Sequence, residues 1–340
     1  MVVKSVLTHL LAGNSLNSQQ MTDVMEGILT GRISEIQTAA VLSLLAKKGE
    51  SIEEVVAAAK VMRALSQRVE VRMDAPVIDT CGTGGDGLHT FNISTASSFV
   101  VAAAGAAVAK HGGRSVSSLS GSVDVLEAMG LPVSVWSLAR VQDFLERYRW
   151  TFMFAPNHHT AMKYTAHVRK ELGIRTLFNI LGPLTNPANA PFQVLGVFSP
   201  HLTRLMVEVL KELGSEGALV VHGHDGLDEI SLAGPTSVAE LKNGVIRYYE
   251  ITPEQFGFTR MPLNPLLVNN PMESMFFIDQ VLDNFPGPAR DIVALNAGAA
   301  IYITGLVESF EAGVQKALDV IAIGDAKKLK DQIKKAANHG

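Results

Sequence analysis

The sequence predicts an α/β protein in two parts: a small all-helical domain followed by a larger α/β domain with a mainly parallel central sheet. Three observations predict it. Residues up to about 70 carry only helix-period apolar patterns punctuated by helix-start and helix-stop residues. From Pro76 onward, short apolar runs alternate with amphipathic helical stretches, as in a parallel sheet covered by helices. The two segments richest in glycine each follow directly on one of those apolar runs.

The elements follow in order. Ser18 is placed to cap a helix whose Met21, Val24, Met25, Ile28 and Leu29 share one face, with Gly31 just past its end. Ser34 and Gln37 have capping-box spacing for the next helix, which Gly49 closes. Ser51 and Glu54 repeat that spacing before Val55, Val56, Ala59, Met62 and Leu65. Val77-Ile78-Asp79 reads as a short buried strand entering Gly82-Thr83-Gly84-Gly85-Asp86-Gly87. Further strands are expected at 107–110, 151–155, 194–198 and 218–222, with helices at 95–104, 123–129, 138–148 and 201–213. Residues 236–251 read as antiparallel strands turning at Asn243-Gly244, and 289–304 and 310–337 as a helical end.

Composition narrows the function classes. Hydrophobic residues make up 47% and charged residues 18% of the 340, enough for a sizeable core and incompatible with global disorder. A formal net charge of -4 gives no general attraction for nucleic acid, so phosphate binding needs local devices. The single cysteine, Cys81, excludes an intramolecular disulfide and suits a reducing, cytoplasmic setting. Met1 to Leu11 lacks a small-residue cleavage pattern, and the apolar run 100–109 is too short to span a bilayer, so no membrane partner is expected.

Four segments carry chemistry. Asp79 to Ala96 joins a glycine-rich turn to a helix start at Asn92-Ile93-Ser94-Thr95. Glycines let backbone N–H groups approach a phosphate, and first-turn amides add the helix dipole. Gly82, Gly84 and Gly87 match the dinucleotide pattern, but no helix starts at Gly87 and the next strand ends on Lys110-His111, not on an acid. No G-K-[ST] follows either, which removes a nucleoside-triphosphate loop. Lys110 to Ser122 clusters Lys110, His111 and Arg114 with serines and glycines after a second strand, a further set of phosphate donors. The adjacent carboxylates Asp228 and Glu229 suit a hard cation that also grips phosphates, although an exposed acidic turn explains them equally well. Around Phe154 to Tyr164 the histidines lack the context of a zinc site, while Arg169 stands on a helix able to meet a planar carboxylate.

Six motifs in this order, DTCGTGGDG, TFNISTA, KHGGRSVSS with GSVDVLEAMG, FAPNHHTAMKY, VRKELGIRTLFNILGPLTNP and VHGHDGLDEIS, closely resemble the anthranilate phosphoribosyltransferases over nearly the whole chain. The resemblance implies a nucleoside phosphorylase/phosphoribosyltransferase-like fold. Residues 1–72 would form the small domain, joined by about 161–191, and 73–160 with 192–340 would form the large one. It also implies a homodimer and Mg2+, with anthranilate and phosphoribosyl pyrophosphate as substrates.

Carried over residue by residue, Gly82, Gly85, Asp86, Thr90, Asn92, Ile93, Ser94 and Thr95 would hold phosphoribosyl pyrophosphate. Lys110, His111, Gly112, Gly113, Arg114, Ser115, Val116, Ser117, Ser118 and Ser122 would complete that site. Ser94, Asp228 and Glu229 would hold metal, and Gly82, Gly113, His159 and Arg169 would line the anthranilate site. Gly113 departs from the asparagine usual in the family, which loosens one acceptor contact, and Thr160 replaces a frequent proline. No general base is expected, because an aromatic amine is already nucleophilic; Lys110 would stabilise the leaving pyrophosphate. Three other readings compete: a pyrimidine nucleoside phosphorylase of the same fold, a silent nucleic-acid-binding paralogue, and a nicotinamide-dependent oxidoreductase. The first should carry a different basic loop and the second should have lost the two acids. The third has only the glycine match.

Overall fold

The computed structural model describes residues 3–114 and 119–338. Four helices open it: α1 (Val3–Leu11), α2 (Ser18–Leu29), α3 (Glu35–Lys48) and α4 (Ile52–Ala64). Capping boxes start α2, α3 and α4, at Asn17 with Gln20, Ser34 with Gln37, and Ser51 with Glu54. The cap of α2 is thus Asn17 and not Ser18. Asn17 has a side-chain acceptor three residues before Gln20, whose own carboxamide returns to the Asn17 N–H at 3.0 Å, whereas Ser18 has only Met21 at that spacing.

After Pro76 the alternation begins: β1 (Val77–Gly82), α5 (Ile93–Ala103), β2 (Ala107–Gly112), α6 (Ser122–Ala128), α7 (Leu138–Tyr148) and β3 (Trp150–Phe154). The chain continues through α8 (Ala155–His158), α9 (Lys163–Leu172), α10 (Phe178–Leu181), β4 (Phe192–Gly196), α11 (His201–Glu212) and β5 (Gly217–Gly223). A hairpin of β6 (Thr236–Lys242) and β7 (Val245–Ile251) precedes α12 (Pro271–Leu282), α13 (Pro288–Ile303), α14 (Phe310–Ala322) and α15 (Asp325–Ala337). Asn243 and Gly244 both have positive φ, 52° and 74°, as a two-residue hairpin turn requires.

The seven strands lie in the order β3-β2-β1-β4-β5-β6-β7. The first five are parallel and the last two antiparallel. Helices cover both faces. Leu195, Ala218, Val220, Ala239 and Leu241 point toward α11 and the opening helices; Val194, Leu219, Val221 and Val238 point the other way, into the core shared with α5 and α13. The expected fold class is borne out. On the first face, α9 packs against α2 and α3, and α10 against α4.

The longest helix that the sequence reading did not place is α12. Its start signal is present, Asn270 capping with Pro271 at the first turn. Its apolar pattern is not a clean stripe, because Met272 and Phe276 are both 57% exposed on the outer side. The sheet order matters most for function. From β1 the chain moves outward to β2 and β3, then returns to start β4 on the other side of β1. That reversal opens a crevice beyond the carboxyl ends of β1 and β4, where open α/β sheets bind ligands.

Candidate functional site

Asp228 and Glu229 lie in the turn after β5, directly over that crevice. Two glycines paired across the β1–β4 boundary, Gly82 and Gly196, form the floor beneath them. A Cβ on Gly196 would run into the Asp228 backbone carbonyl, and one on Gly82 into the Asp228 carboxylate. Only glycine lets the acidic turn settle this low. From the far side α13 pins the next residue. The Asn296 carboxamide accepts the Ile230 N–H and donates to the Ile230 carbonyl, both at 2.9 Å.

The glycine-rich loop and the start of α5 meet those acids. The Gly84 N–H donates to Asp228 Oδ2 at 2.7 Å, and the Ser94 N–H donates to Glu229 Oε1 at 3.2 Å. Lys110, buried on β2, donates from Nζ to Ser94 Oγ at 3.1 Å and also to the Thr80 carbonyl. The loop is held at its far end by the segment before α12: Phe91 N–H donates to Leu266 O and Val268 N–H to His89 O, with Thr90 bridging Leu267. Asn92 leaves the first turn of α5 uncapped, because its side chain is engaged by Ser120 and Ser274. Within that turn the Thr95 hydroxyl is buried without a partner among the described residues.

Electrostatics make this corner unusual. Burial, then the neighbouring Asp86 carboxylate, pushes Asp228 up to about 7. Burial, then Asp228, pushes Glu229 up to about 8, with Lys110 working in the opposite direction. Two adjacent carboxyls that resist ionisation, with the Ser94 hydroxyl beside Glu229, offer oxygen donors to a hard cation. Magnesium fits such a set, since it takes one or two carboxylates and leaves its other positions to water and phosphate oxygens. Among the described residues no cluster of three or more acidic, histidine or cysteine side chains forms a full protein cage, which this cation does not need.

The remaining predicted residues divide. Gly85 and Asp86 sit in the glycine loop, with Asp86 Oδ1 accepting the Leu88 N–H. Gly112 packs against Phe152 and Ser122, bringing the first residue of α6 beside the end of β2. Arg114 is not aimed into the crevice: its guanidinium pairs with Asp124 and Glu127 of α6, and Asp124 Oδ1 lies 2.8 Å away. Ser115, Val116, Ser117 and Ser118 lie outside the described residues. His111 and His159 face each other with ring centroids 5.1 Å apart, both buried. Burial, reinforced by neighbouring imidazoles, holds His111 well below the usual histidine range and His159 down at about 4. Each keeps an Nε2 without a partner among the described residues. Gly113 has open space where a Cβ would stand. Arg169 stands apart from the phosphate loop on α9, its guanidinium 5.6 Å from the Phe178 ring centre and, among the described residues, in no ion pair. His222 is structural, its Nδ1 sitting 2.7 Å from the Val197 carbonyl.

Several positioning residues were missed. Asp79, fully buried, accepts the His111 N–H at 3.2 Å and the Asn186 carboxamide at 2.8 Å; Asn186 also donates to Ala109 O. This ties the segment after α10 to β1 and β2. Asn296 shared that fate, although a lone carboxamide inside Ala294-Leu295-Asn296-Ala297-Gly298 was a readable signal. Gly196 carried no signal beyond being a glycine at a strand end.

Two family models match the chain: a glycosyl transferase family helical bundle domain over residues 4–66, and a glycosyl transferase family α/β domain over residues 74–327. The anthranilate phosphoribosyltransferase of Laribacter hongkongensis is 53% identical over 330 residues, covering 97% of this chain and 96% of its own. That of Methylococcus capsulatus is 53% identical over 328 residues, covering 96% and 95%. Among solved structures, anthranilate phosphoribosyltransferase from Thermus thermophilus superposes with a TM-score of 0.91 at 40% identity, covering 97% of this chain and 98% of that one. The Saccharomyces cerevisiae enzyme in complex with PRPP and Mg gives a TM-score of 0.89 at 25% identity, covering 98% and 97%.

Proposed function

The chain belongs to the anthranilate phosphoribosyltransferase family, and on that premise we propose how its residues divide the work of the reaction. The enzyme transfers the 5-phosphoribosyl group from phosphoribosyl pyrophosphate to the amine of anthranilate, releasing pyrophosphate, in tryptophan biosynthesis. The observation that carries the assignment of roles is the convergence of Gly84, Ser94, Lys110, Asp228 and Glu229 on the switch-point crevice.

In this reading the donor's phosphates lie along the glycine loop and the open start of α5, where Ser94, Thr95 and backbone amides meet them. Asp228 and Glu229, with Ser94, would hold Mg2+, which when bound supplies positive charge to the pyrophosphate. Lys110 adds a fixed charge from beneath and steadies the leaving group as the C1′–O bond breaks. Positive charge that gathers on the ribose is met by the aromatic amine of anthranilate, which after the C–N bond forms gives its proton to the departing pyrophosphate or to water. No protein base is assigned. The neutral imidazoles of His111 and His159 suit a site that must accept an uncharged amine, and neither is positively charged near neutral pH. Arg169, in no ion pair among the described residues, offers its fork to the anthranilate carboxylate. Residues 161–191 we count with the opening helices, on the packing of α9 and α10. We also infer a homodimer, from the resemblance to the family alone. A cytoplasmic setting agrees with the absence, among the described residues, of any helix long and apolar enough to cross a membrane.

The direct test follows the loss of anthranilate fluorescence on adding phosphoribosyl pyrophosphate, with and without Mg2+. The expected result is metal-dependent loss, abolished in the double variant Asp228→Asn/Glu229→Gln. Lys110→Ala should lower turnover by about 100-fold or more, in the range of losing one charge-stabilising donor. Unchanged turnover and pyrophosphate affinity in Lys110→Ala would remove that residue from the leaving-group role.

A further inference from the structure

Arg175 stands in the stretch that follows α9, six positions after Arg169, and none of the roles above uses it. The helix ends at Gly173 in the left-handed conformation, φ 60°, which turns the chain toward the phosphate loop. There the Arg175 guanidinium lies 4.0 Å over the centre of the Phe198 ring and donates to the Gly85 carbonyl. Among the described residues it has no carboxylate partner. Phe198 in turn follows β4, and its N–H donates to Thr83 Oγ1 at 3.1 Å, while the Thr83 N–H donates to Gly196 O at 2.9 Å. Arg175 therefore touches the glycine loop twice, once at Gly85 and once through the residue that anchors Thr83.

The peptide it grips is one that needs holding. Gly84 and Gly85 have φ of 64° and 78°, a conformation glycine adopts freely and leaves as freely. A peptide's C=O and N–H point in opposite directions, so fixing the Gly85 carbonyl fixes the direction of the Asp86 N–H. Two residues earlier in the loop, the Gly84 N–H already serves Asp228. The loop is thus oriented from one side by the acidic turn and from the other by Arg175.

We propose that Arg175 is a positioning residue that couples the two substrates: it transmits the state of the acceptor-side helix α9 to the donor loop, so that an occupied Arg169 site tightens donor binding. The inference rests on the assignment of Arg169 to the acceptor carboxylate and of the glycine loop to the donor. A covalent link of six residues and a stacked, hydrogen-bonded guanidinium join the two sites. Such a link gives reciprocal coupling, typically about 5- to 150-fold between bound and free states.

The experiment measures the dissociation constant of phosphoribosyl pyrophosphate with Mg2+ by calorimetry, with and without benzoate, a carboxylate that lacks the reacting amine. In the unaltered protein benzoate should tighten donor binding by about 5-fold or more. In Arg175→Ala that ratio should fall to near one, while benzoate affinity measured without donor and the melting temperature stay within error. Arg175→Lys should not restore the ratio, because an ammonium cannot stack and fork at once. Phe198→Leu, which keeps the Gly85 contact, should retain part of it. A ratio near one in the unaltered protein, or a full ratio in Arg175→Ala, overturns the proposal. Turnover of anthranilate by the unaltered protein separates this failure from a failure of the reading beneath it. An active enzyme without coupling sinks only the Arg175 role, and an inactive one sinks both.

Discussion

Neutralising Asp228 should stabilise the metal-free protein at alkaline pH and leave it nearly unchanged at acid pH. The carboxyl ionises at an ordinary value of 3.8 in the unfolded chain and at about 7 in the fold. Because the folded value is the higher one, the fold favours the protonated form. Its contribution is intact below about pH 4, is lost progressively up to about pH 7, and stays lost above it. At about 1.4 kcal/mol per unit, the full penalty is about 2 kcal/mol at pH 5 and about 4 kcal/mol at pH 8, a difference of roughly 2–3 kcal/mol. Asp228 keeps some solvent-accessible surface, so we halve that figure for its lower bound, giving about 1–3 kcal/mol.

Asp228→Asn removes the charge and keeps an oxygen for the Gly84 N–H. Relative to the unaltered protein it should therefore gain about 1–3 kcal/mol in unfolding free energy between pH 5 and pH 8. Glu229 is common to both proteins, and losing its charged neighbour lowers its own shift, which acts in the same direction. The assay is urea unfolding with a chelator present, followed by the fluorescence of the buried Trp136 and Trp150. A difference that is flat with pH, or that favours the unaltered protein at pH 8, would refute the reasoning. The same substitution should cost activity, so the site trades stability for a place to hold a cation.

Other substitutions test the scaffold around it. Gly196→Ala drives a methyl into the Asp228 backbone, and should destabilise by about 1–3 kcal/mol and weaken Mn2+ binding, read by relaxation or electron paramagnetic resonance. A variant that binds the ion normally would show that the turn has room to rise. Asn296→Ala leaves the Ile230 N–H and carbonyl unserved, at a cost of about 1–3 kcal/mol per group, visible as a lower urea midpoint. Arg169→Gln should raise the KM for anthranilate at least about 10-fold with little change in that for the donor, and equal changes in both would displace Arg169 from the acceptor site.

What the sequence disclosed and what it concealed divide along a physical line. The helices, the parallel strands and their order in the chain were legible because they are written locally, in apolar period and caps such as Ser34 with Gln37. The glycine turn and the acids were legible as chemistry, because phosphate and cation binding call for specific groups. The packing relations between distant strands were not written in any one segment. Nothing near Gly196 announces that Asp228 will lie on it, nor near Asn296 that it will hold Ile230, since both contacts arise only when the β5 turn folds back over β4 and α13 closes above. Arg114 illustrates the converse. Its place among serines and glycines suggested a phosphate ligand, yet the acids Asp124 and Glu127 one turn apart on α6 capture it. A cation next to a phosphate loop is drawn by whichever negative charge is nearest, and the fold supplies one before any substrate arrives. By that argument the charge facing the donor's leaving group comes from Lys110, which is bonded to a hydroxyl and a carbonyl and, among the described residues, to no acid, although Glu229 and Asp79 feel its charge. Lys110→Ala should then cost far more turnover than Arg114→Ala under the same assay, and the reverse order would place the functional cation on the loop after β2.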